Sequence, residues 1–475
     1  MSMKAAPMFR AFPLLIALAL PFAAQAAEQR RPAAPELPMA AAGLTLADAE
    51  ARLVERNLSV VAARRGVDIA RAQRLVADTA PAASLGYGQT LGQVNEDRRL
   101  SGFYGSRVVS PLNNMSLSLS YTVERGGKRE LRTRLADEQI SVAEAQVLDA
   151  LRGQIFNLRL AFIQGLKARA NLQVALANRN ALNGTEGLLS RQVKQGAIPE
   201  SDLLRFQASR LPFEQDVASA AQAYVAAVAQ IAALVGADAT APRAAPRGND
   251  PIAVLLAGAA YDLRGSLADT APIGITREAL AEALPRRPDV LAATRGVNAA
   301  DANTRLAEAG RYRDVTLGGS LSRTELSQDL PNSARQLRAN DALGVSVSIP
   351  LFTSKITQGN VAVAVAQRSQ AQAQAGATLA TAQADLATAW ASYEQARALL
   401  GLTTGTVLNR AEEAYRSTET AYMAGGRSLL DTLDALRTLN ATRVSANAAR
   451  ADYATALATL EQASGASGLA PKLAP

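Results

Sequence analysis

The chain repeats itself, and a duplication restricts it to folds in which two copies of one unit pack side by side. Asn57–Val67 (NLSVVAARRGV) aligns with Arg287–Val297 (RPDVLAATRGV), and Leu160-Ala161-Phe162 aligns with Thr388-Ala389-Trp390. Gln195-Gly196 and Asp202-Leu203-Leu204 align with Ala424-Gly425 and Asp431-Thr432-Leu433. The three offsets, 230, 228 and 229, agree to within two residues, which an alanine-rich chain does not produce by chance. The first repeat is read as residues 45–237 and the second as 275–466. An N-terminal linker at 27–44 and a C-terminal tail at 467–475 flank them. The connecting segment 238–274 carries Pro242, Pro246, Pro251 and Pro272, which predicts a linker.

Both repeats predict one order of elements. A short helix (Leu46–Arg56; Thr276–Leu284) precedes a second helix (Leu58–Asp78; Asp289–Ala309), two strands, a very long helix, a glycine break and a last helix. The long stretches, Lys128–Lys194 and Ile356–Met423, contain no proline and are rich in Ala, Leu, Gln, Arg and Glu. At 1.5 Å per residue each would reach roughly 100 Å, far beyond an ordinary helix, so coiled-coil-like rods are expected. Ala362, Ala364, Ala366, Ala371, Ala373 and Ala375 are expected to let such rods approach closely.

The strand runs, about 83–93, 113–123, 314–324 and 341–352, carry the strongest physical signal. Leu117, Leu119, Tyr121 and Val123 alternate with Ser and Thr, and Leu343, Val345, Val347 and Ile349 alternate with Gly and Ser. Leu85, Tyr87 and Leu91, and Val315, Leu317 and Leu321, do the same. Apolar-out, small-polar-in alternation describes an outer-membrane barrel strand, and equally a half-buried sheet of a soluble domain. Four strands are too few to close a membrane barrel, which needs at least ~8, and an open edge in lipid is forbidden. A barrel built from this chain must be shared, and three copies would close twelve strands. The polar segments Val94–Pro111 and Glu325–Asn340 are expected as outward-facing loops.

Cysteine and histidine are both absent from the 475 residues, which excludes disulfides, thiol nucleophiles and every imidazole-dependent triad or metal cage. No metal site and no cofactor are expected. The net charge of +8 is spread out, without a basic block for nucleic acid. Lys4 and Arg10, the apolar stretch 11–24 and Ala24-Gln25-Ala26 compose a secretory signal peptide over residues 1–26. The alternative, an N-terminal membrane anchor, is opposed by Pro13 and Pro21 and by a short apolar run. No later stretch reaches the ~18 continuous apolar residues of a spanning helix.

With this order of elements the sequence resembles the TolC-like outer-membrane efflux family over nearly all of the mature chain. RRPDVLAA at Arg286–Ala293 looks like the family's RPD motif, VERGGKR at Val123–Arg129 is similar to the heavy-metal-efflux branch, and IPLF at Ile349–Phe352 resembles the equivalent turn of the second repeat. YMAGGRSLLDTLDA at Tyr422–Ala435 matches the family's aperture segment. The resemblance implies a mainly α fold with a small β part: a homotrimer with a twelve-strand barrel in outer-membrane lipid on a long helical periplasmic tunnel. It implies a periplasmic adaptor and an inner-membrane pump as partners, and a duct with no chemistry of its own. The chain departs from lipid-anchored relatives in having no N-terminal cysteine.

The resemblance maps the periplasmic constriction onto Tyr422, Arg427, Asp431 and Asp434, with Asp202 as a latch partner. Asp431 and Asp434 share a helix face, and threefold repetition would ring an axis with six carboxylates that favour cations. Each acid also has a plain reading. Ser428 and Asp431 form a capping-box pattern, and Pro199, Glu200 and Asp202 form an ordinary helix start. Gly196, Gly425 and Gly426 stand where the long helices must reverse. Glycine serves there as a C-cap, and the resemblance adds adaptor contact. Gly126–Arg129 lacks the spacing of a phosphate loop and reads as a sharp strand-to-helix junction with cations near the lipid interface. Two rival readings are a periplasmic helical scaffold without a barrel and a hydrolase using buried carboxylates.

Overall fold

The computed structural model of the chain describes residues 42–91, 109–237, 250–329, 335–424 and 426–474. The expected signal peptide, most of the 27–44 linker and nearly all of the loop expected at Val94–Pro111 lie outside the described residues. In chain order the elements are β1 (Gly43–Leu44), α1 (Leu46–Arg56), α2 (Leu58–Ala77), β2 (Ser84–Leu91), β3 (Val109–Val123), α3 (Lys128–Lys194), α4 (Glu200–Ser209) and α5 (Leu211–Leu234). Then come α6 (Pro251–Ala257), β4 (Asp262–Leu263), α7 (Arg277–Ala281), α8 (Pro288–Ala309), β5 (Val315–Asp329), β6 (Arg335–Ser348), α9 (Ser354–Leu402), α10 (Leu408–Met423) and α11 (Leu429–Ser464). The chain is mainly α with a small β part.

α3 runs 67 residues without interruption. It starts after Gly126 and Gly127, both at positive φ, and ends before Gly196 at φ 72. The ring of Tyr312 lies where a Cβ on Gly126 would sit, so this junction needs both the backbone freedom and the space of glycine. The second rod is not continuous. Between α9 and α10 the five residues Thr403–Val407 form a wider turn, and Gly405 leaves helical geometry at φ −93, ψ −108. Clustered threonines and glycine are poor helix formers, and the Thr403 hydroxyl donates back to the Leu399 carbonyl at 2.7 Å. The last helix of the first repeat also divides, at Arg210, where Pro212 restarts it as α5.

The connecting segment is more structured than its prolines suggest. Pro251 takes the first turn of α6 behind an Asp250 cap, and β4 pairs in parallel with β1. Leu256, Ala259 and Leu263 are buried in the core of the first repeat, where the Leu263 N–H donates to the Tyr224 hydroxyl at 3.0 Å. Burial pushes the Tyr224 hydroxyl pKa up to about 12. By length and composition the helical segment Glu200–Leu234 could cross a membrane. Its row Val217, Ala221, Tyr224, Val228 and Ile231, however, is spent on this same core. A second core gathers Leu386, Tyr393, Leu400, Tyr453, Leu457 and Leu460. Of the six alanines expected on the packing face of α9, Ala364 is buried, Ala371 and Ala375 are half-buried, and Ala362, Ala366 and Ala373 are exposed in the single chain.

The RPD motif closes the second repeat onto its last helix. Arg287, with a side chain only 6% exposed, caps α8 and grips Asp289 (2.8 Å), Asp385 (2.9 Å) and the Ala463 carbonyl (2.9 Å). Beside it, Arg159 bridges Glu50 (2.6 Å) and Glu461 (2.5 Å). Glu461 in turn accepts the backbone N–H groups of Gly468, Leu469 and Ala470. The C-terminal tail is thereby tied to both repeats by charge-assisted bonds.

β2, β3, β5 and β6 form one antiparallel sheet in that order. The β5–β6 ladder continues through Glu325↔Ala339 to Asp329↔Arg335, so most of the segment expected as a loop at Glu325–Asn340 is strand. Polar side chains there do not end the ladder, because backbone pairing is indifferent to them. β3 begins before the expected residue 113 and carries Pro111 at a register shift, where a missing N–H is tolerated.

Candidate functional site

Register sorts the sheet into two unlike faces. Leu85 pairs with Leu119, Tyr87 with Leu117, Leu117 with Leu321, Tyr121 with Leu317, Leu317 with Val347 and Leu321 with Leu343. These side chains share one face and none is covered by another layer; Leu343 and Val345 are 82% and 84% exposed. On the other face Ser84 meets Ser120, Gly86 meets Ser118, Ser118 meets Ser320, Thr122 meets Thr316 and Ser320 meets Gly344. That face is a lawn of hydroxyls and bare backbone, with cross-strand bonds such as Ser84–Ser120 at 2.9 Å and Thr122–Thr316 at 3.0 Å. An uncovered apolar face in water would be an aggregation hazard, and in lipid it is the required surface.

At the other end of the helices a small core joins the two repeats: Leu182, Leu189, Phe206, Phe213, Leu433 and Leu436. Asp431 and Asp434 are both exposed, on the side of α11 away from Leu433 and Leu436. Asp431 completes a capping box: the Ser428 N–H donates to its carboxylate at 3.2 Å, and the Asp431 N–H donates to the Ser428 hydroxyl at 3.2 Å. Asp434 is 72% exposed and pairs with Arg437 at 3.2 Å. Tyr422 is half-buried near the end of α10, and burial pushes its hydroxyl pKa up. Asp202 is half-buried in the first turn of α4, and Arg427 is exposed. Within one subunit, among the described residues, no hydrogen bond or ion pair joins Arg427 or Tyr422 to Asp202. Gly196, at φ 72, has open space where a Cβ would be, and the Gly426 N–H donates to the Ala421 carbonyl at 2.8 Å. Gly425 lies outside the described residues.

Two features near this end escaped the sequence reading. Buried Asn178 donates to Asn440 at 2.9 Å, and buried Asn447 donates to Asn171 at 3.0 Å. The paired asparagines are seven apart on both helices, so they form a polar ladder along the α3–α11 seam, the device that fixes coiled-coil register. α10 has no buried side chain among its described residues; the Arg443–Glu412 pair at 2.9 Å ties it to α11. Among the described residues no three Asp or Glu gather where a metal ion could be held.

Residues 279–466 match the sequence profile of the family described as outer membrane efflux protein. The cobalt-zinc-cadmium resistance protein CzcC of Cupriavidus metallidurans is 25% identical over 328 residues, which cover 69% of this chain and 71% of CzcC. Both matches liken the chain, its second repeat above all, to the outer membrane efflux proteins.

Its fold is that of the solved outer-membrane channels. The Campylobacter jejuni CmeC channel superposes with a TM-score of 0.66 at 18% identity, over 88% of this chain and 85% of CmeC. The open state of the Neisseria gonorrhoeae MtrE channel gives 0.63 at 21% identity, over 90% and 89%. Taken with the family match, the likeness supports an outer-membrane location with an extended helical part in the periplasm. The helices extend from the foot of the sheet, the end formed by Val123, Val315 and Ser348, so that foot is the periplasmic side.

Proposed function

We propose that the protein is a passive exit duct, a homotrimer that receives cargo from an inner-membrane pump through a periplasmic adaptor and releases it outside the cell. One observation carries this reading: a four-stranded sheet with a bare apolar face and a bare hydroxyl face, which neither closes on itself nor is covered. Three copies supply twelve strands, above the ~8 that a barrel needs. The edges β2 and β6 then pair between neighbours, and the serine and glycine face becomes a polar lumen. The exposed alanines of α9 suit helix contacts between subunits. On the described hydroxyl face no carboxylate stands beside a serine to activate it as a nucleophile, which suits transport without catalysis. Similarity to CzcC points to metal cations as the first cargo to assay. Detergent-extracted protein imaged as single particles should appear as threefold tubes and should migrate differently on gels with and without heating. A water-soluble monomer would instead favour the periplasmic scaffold.

The constriction reading rests on the outward face of Asp431 and Asp434. Asp431 also holds a helix start, so its removal mixes gating with a cap loss of about 1 kcal/mol. Asp434 avoids that confusion. Asp434→Asn should lower the cation preference of single channels in planar bilayers while leaving thermal stability unchanged. Equal selectivity in parent and variant would remove Asp434 from the pore. Among the described residues Arg427 has no partner within its own subunit, so a latch to Asp202 would cross between neighbours. Arg427→Ala should then raise antibiotic leakage into cells, and unaltered sensitivity would sink the latch.

A further inference from the structure

The lipid-facing rows of β3 and β5 end, on the periplasmic side, in two arginines. Leu117, Leu119, Tyr121 and Val123 occupy alternate positions of β3, and the next alternate position is Arg125. Leu321, Leu317 and Val315 do the same on β5, and the next is Arg313. Val123 pairs with Val315, so one further step of the register sets Arg125 beside Arg313. The Arg125 N–H donating to the Asp314 carboxylate at 3.1 Å keeps the two strand ends together beyond the last ladder pair. Like charges side by side on neighbouring strands repel. Both residues are exposed, and among the described residues neither has a carboxylate within ion-pair distance.

The two acids next to these arginines in sequence are committed elsewhere. Asp314 takes Lys128 at 2.8 Å, and Glu124 takes Arg132. Both occupy the alternate parity, away from the apolar rows. The outer end of the same rows is different: Arg323 has Glu325 at 3.6 Å and Asp341 at 4.0 Å. One end of the apolar band thus carries its own counter-charges and the other does not. From Val123 to Leu117 the band is about 20 Å along the strand, so the arginines stand at headgroup depth in the inner leaflet. Leu351 and Phe352 flank this foot; Phe352 is 91% exposed at φ 57 and presents an aromatic ring at the same interface.

We propose that Arg125 and Arg313 form a phosphate clamp for an anionic glycerophospholipid of the periplasmic leaflet, repeated three times around the barrel. Two guanidinium forks facing one phosphate relieve their mutual repulsion and make charge-assisted bonds where water is scarce. The inference rests on the membrane reading of the sheet, and its test separates the two.

The purified full-length trimer is titrated in neutral detergent with phosphatidylglycerol, phosphatidylcholine, or inorganic phosphate at matched ionic strength. The temperature at which trimers dissociate on gels is followed. Phosphatidylglycerol should raise it well above the effect of phosphatidylcholine. In the double variant Arg125→Gln, Arg313→Gln, the half-saturating phosphatidylglycerol concentration should rise about fivefold or more. Arg323→Gln should leave it unchanged. A parent that responds equally to both lipids, a double variant that responds like the parent, or inorganic phosphate reproducing the whole effect would overturn the clamp. If the double variant does not assemble, Arg313→Gln alone is compared by the same criterion. A parent that yields no trimer at all fails the duct reading itself, whereas a stable trimer indifferent to lipid charge fails only this proposal.

Discussion

Leu119→Arg should keep the protein out of the outer membrane, whereas Ser118→Arg, one residue away, should insert and conduct poorly. Leu119 lies mid-band, paired with Leu85 and Gly319 and 55% exposed on the uncovered face. An arginine there costs about 2–4 kcal/mol in a barrel at the bilayer midplane, and in the proposed trimer every subunit would repeat the cost. Ser118 lies on the hydroxyl face between Gly86 and Ser320, where a long side chain meets water and the space is small. Membrane fractionation with heat-modifiable migration reads the first variant, and single-channel conductance reads the second. Normal insertion of Leu119→Arg would mean that this face does not touch lipid, and the duct would lose its main support.

The contrast between these neighbours was legible in the sequence because strand parity needs no tertiary information: Ser, Leu, Ser, Leu assigns both faces at once. The limits of α3 were legible for a similar reason, since Gly126-Gly127 and Gly196 punctuate it locally. The break at Thr403–Val407 was not, because Gly and Thr occur within continuous helices elsewhere, as Gly153 and Thr185 do inside α3. The segment 238–274 misled by composition: Pro251 reads as a linker residue until Asp250 caps a helix before it and Leu263 finds a partner strand 219 residues away. The tip is the least legible part. The cap of Asp431 is local and follows from its spacing to Ser428. Among the described residues no bond joins Arg427 to Asp202 within the chain, and nothing local in the sequence names another partner for Arg427. The asparagine ladder was visible as a spacing of seven, yet only the antiparallel contact of α3 with α11 shows which asparagines meet.

The RPD motif shows how a family signature becomes a stability statement, and Arg287→Ala should be the most damaging single change in the periplasmic body. The substitution leaves Asp289 and Asp385 without their fork and the Ala463 carbonyl without its donor, all at the seam between α8, α9 and α11. Removing one partner of a buried pair costs about 3–5 kcal/mol, and the lower figure applies here because Asp385 is 46% exposed. Arg287→Lys should recover part of the loss, since it keeps the charge but not the three-way geometry. Burial raises the Asp289 pKa, but hydrogen bonds and charge from Arg287, with the charge of Arg152 and the Val290 N–H, more than reverse it, so the pKa lies below its ordinary value. A carboxyl with a depressed folded pKa stabilises above its unfolded pKa, and that contribution disappears as pH falls through the folded one. The parent should therefore lose stability below about pH 4, the ordinary carboxylate range, and Asp289→Asn should flatten this acid limb. Chemical denaturation of the extracted protein at neutral and acid pH reads both effects. An Arg287→Ala protein that unfolds like its parent would reduce the motif to a helix start and nothing more.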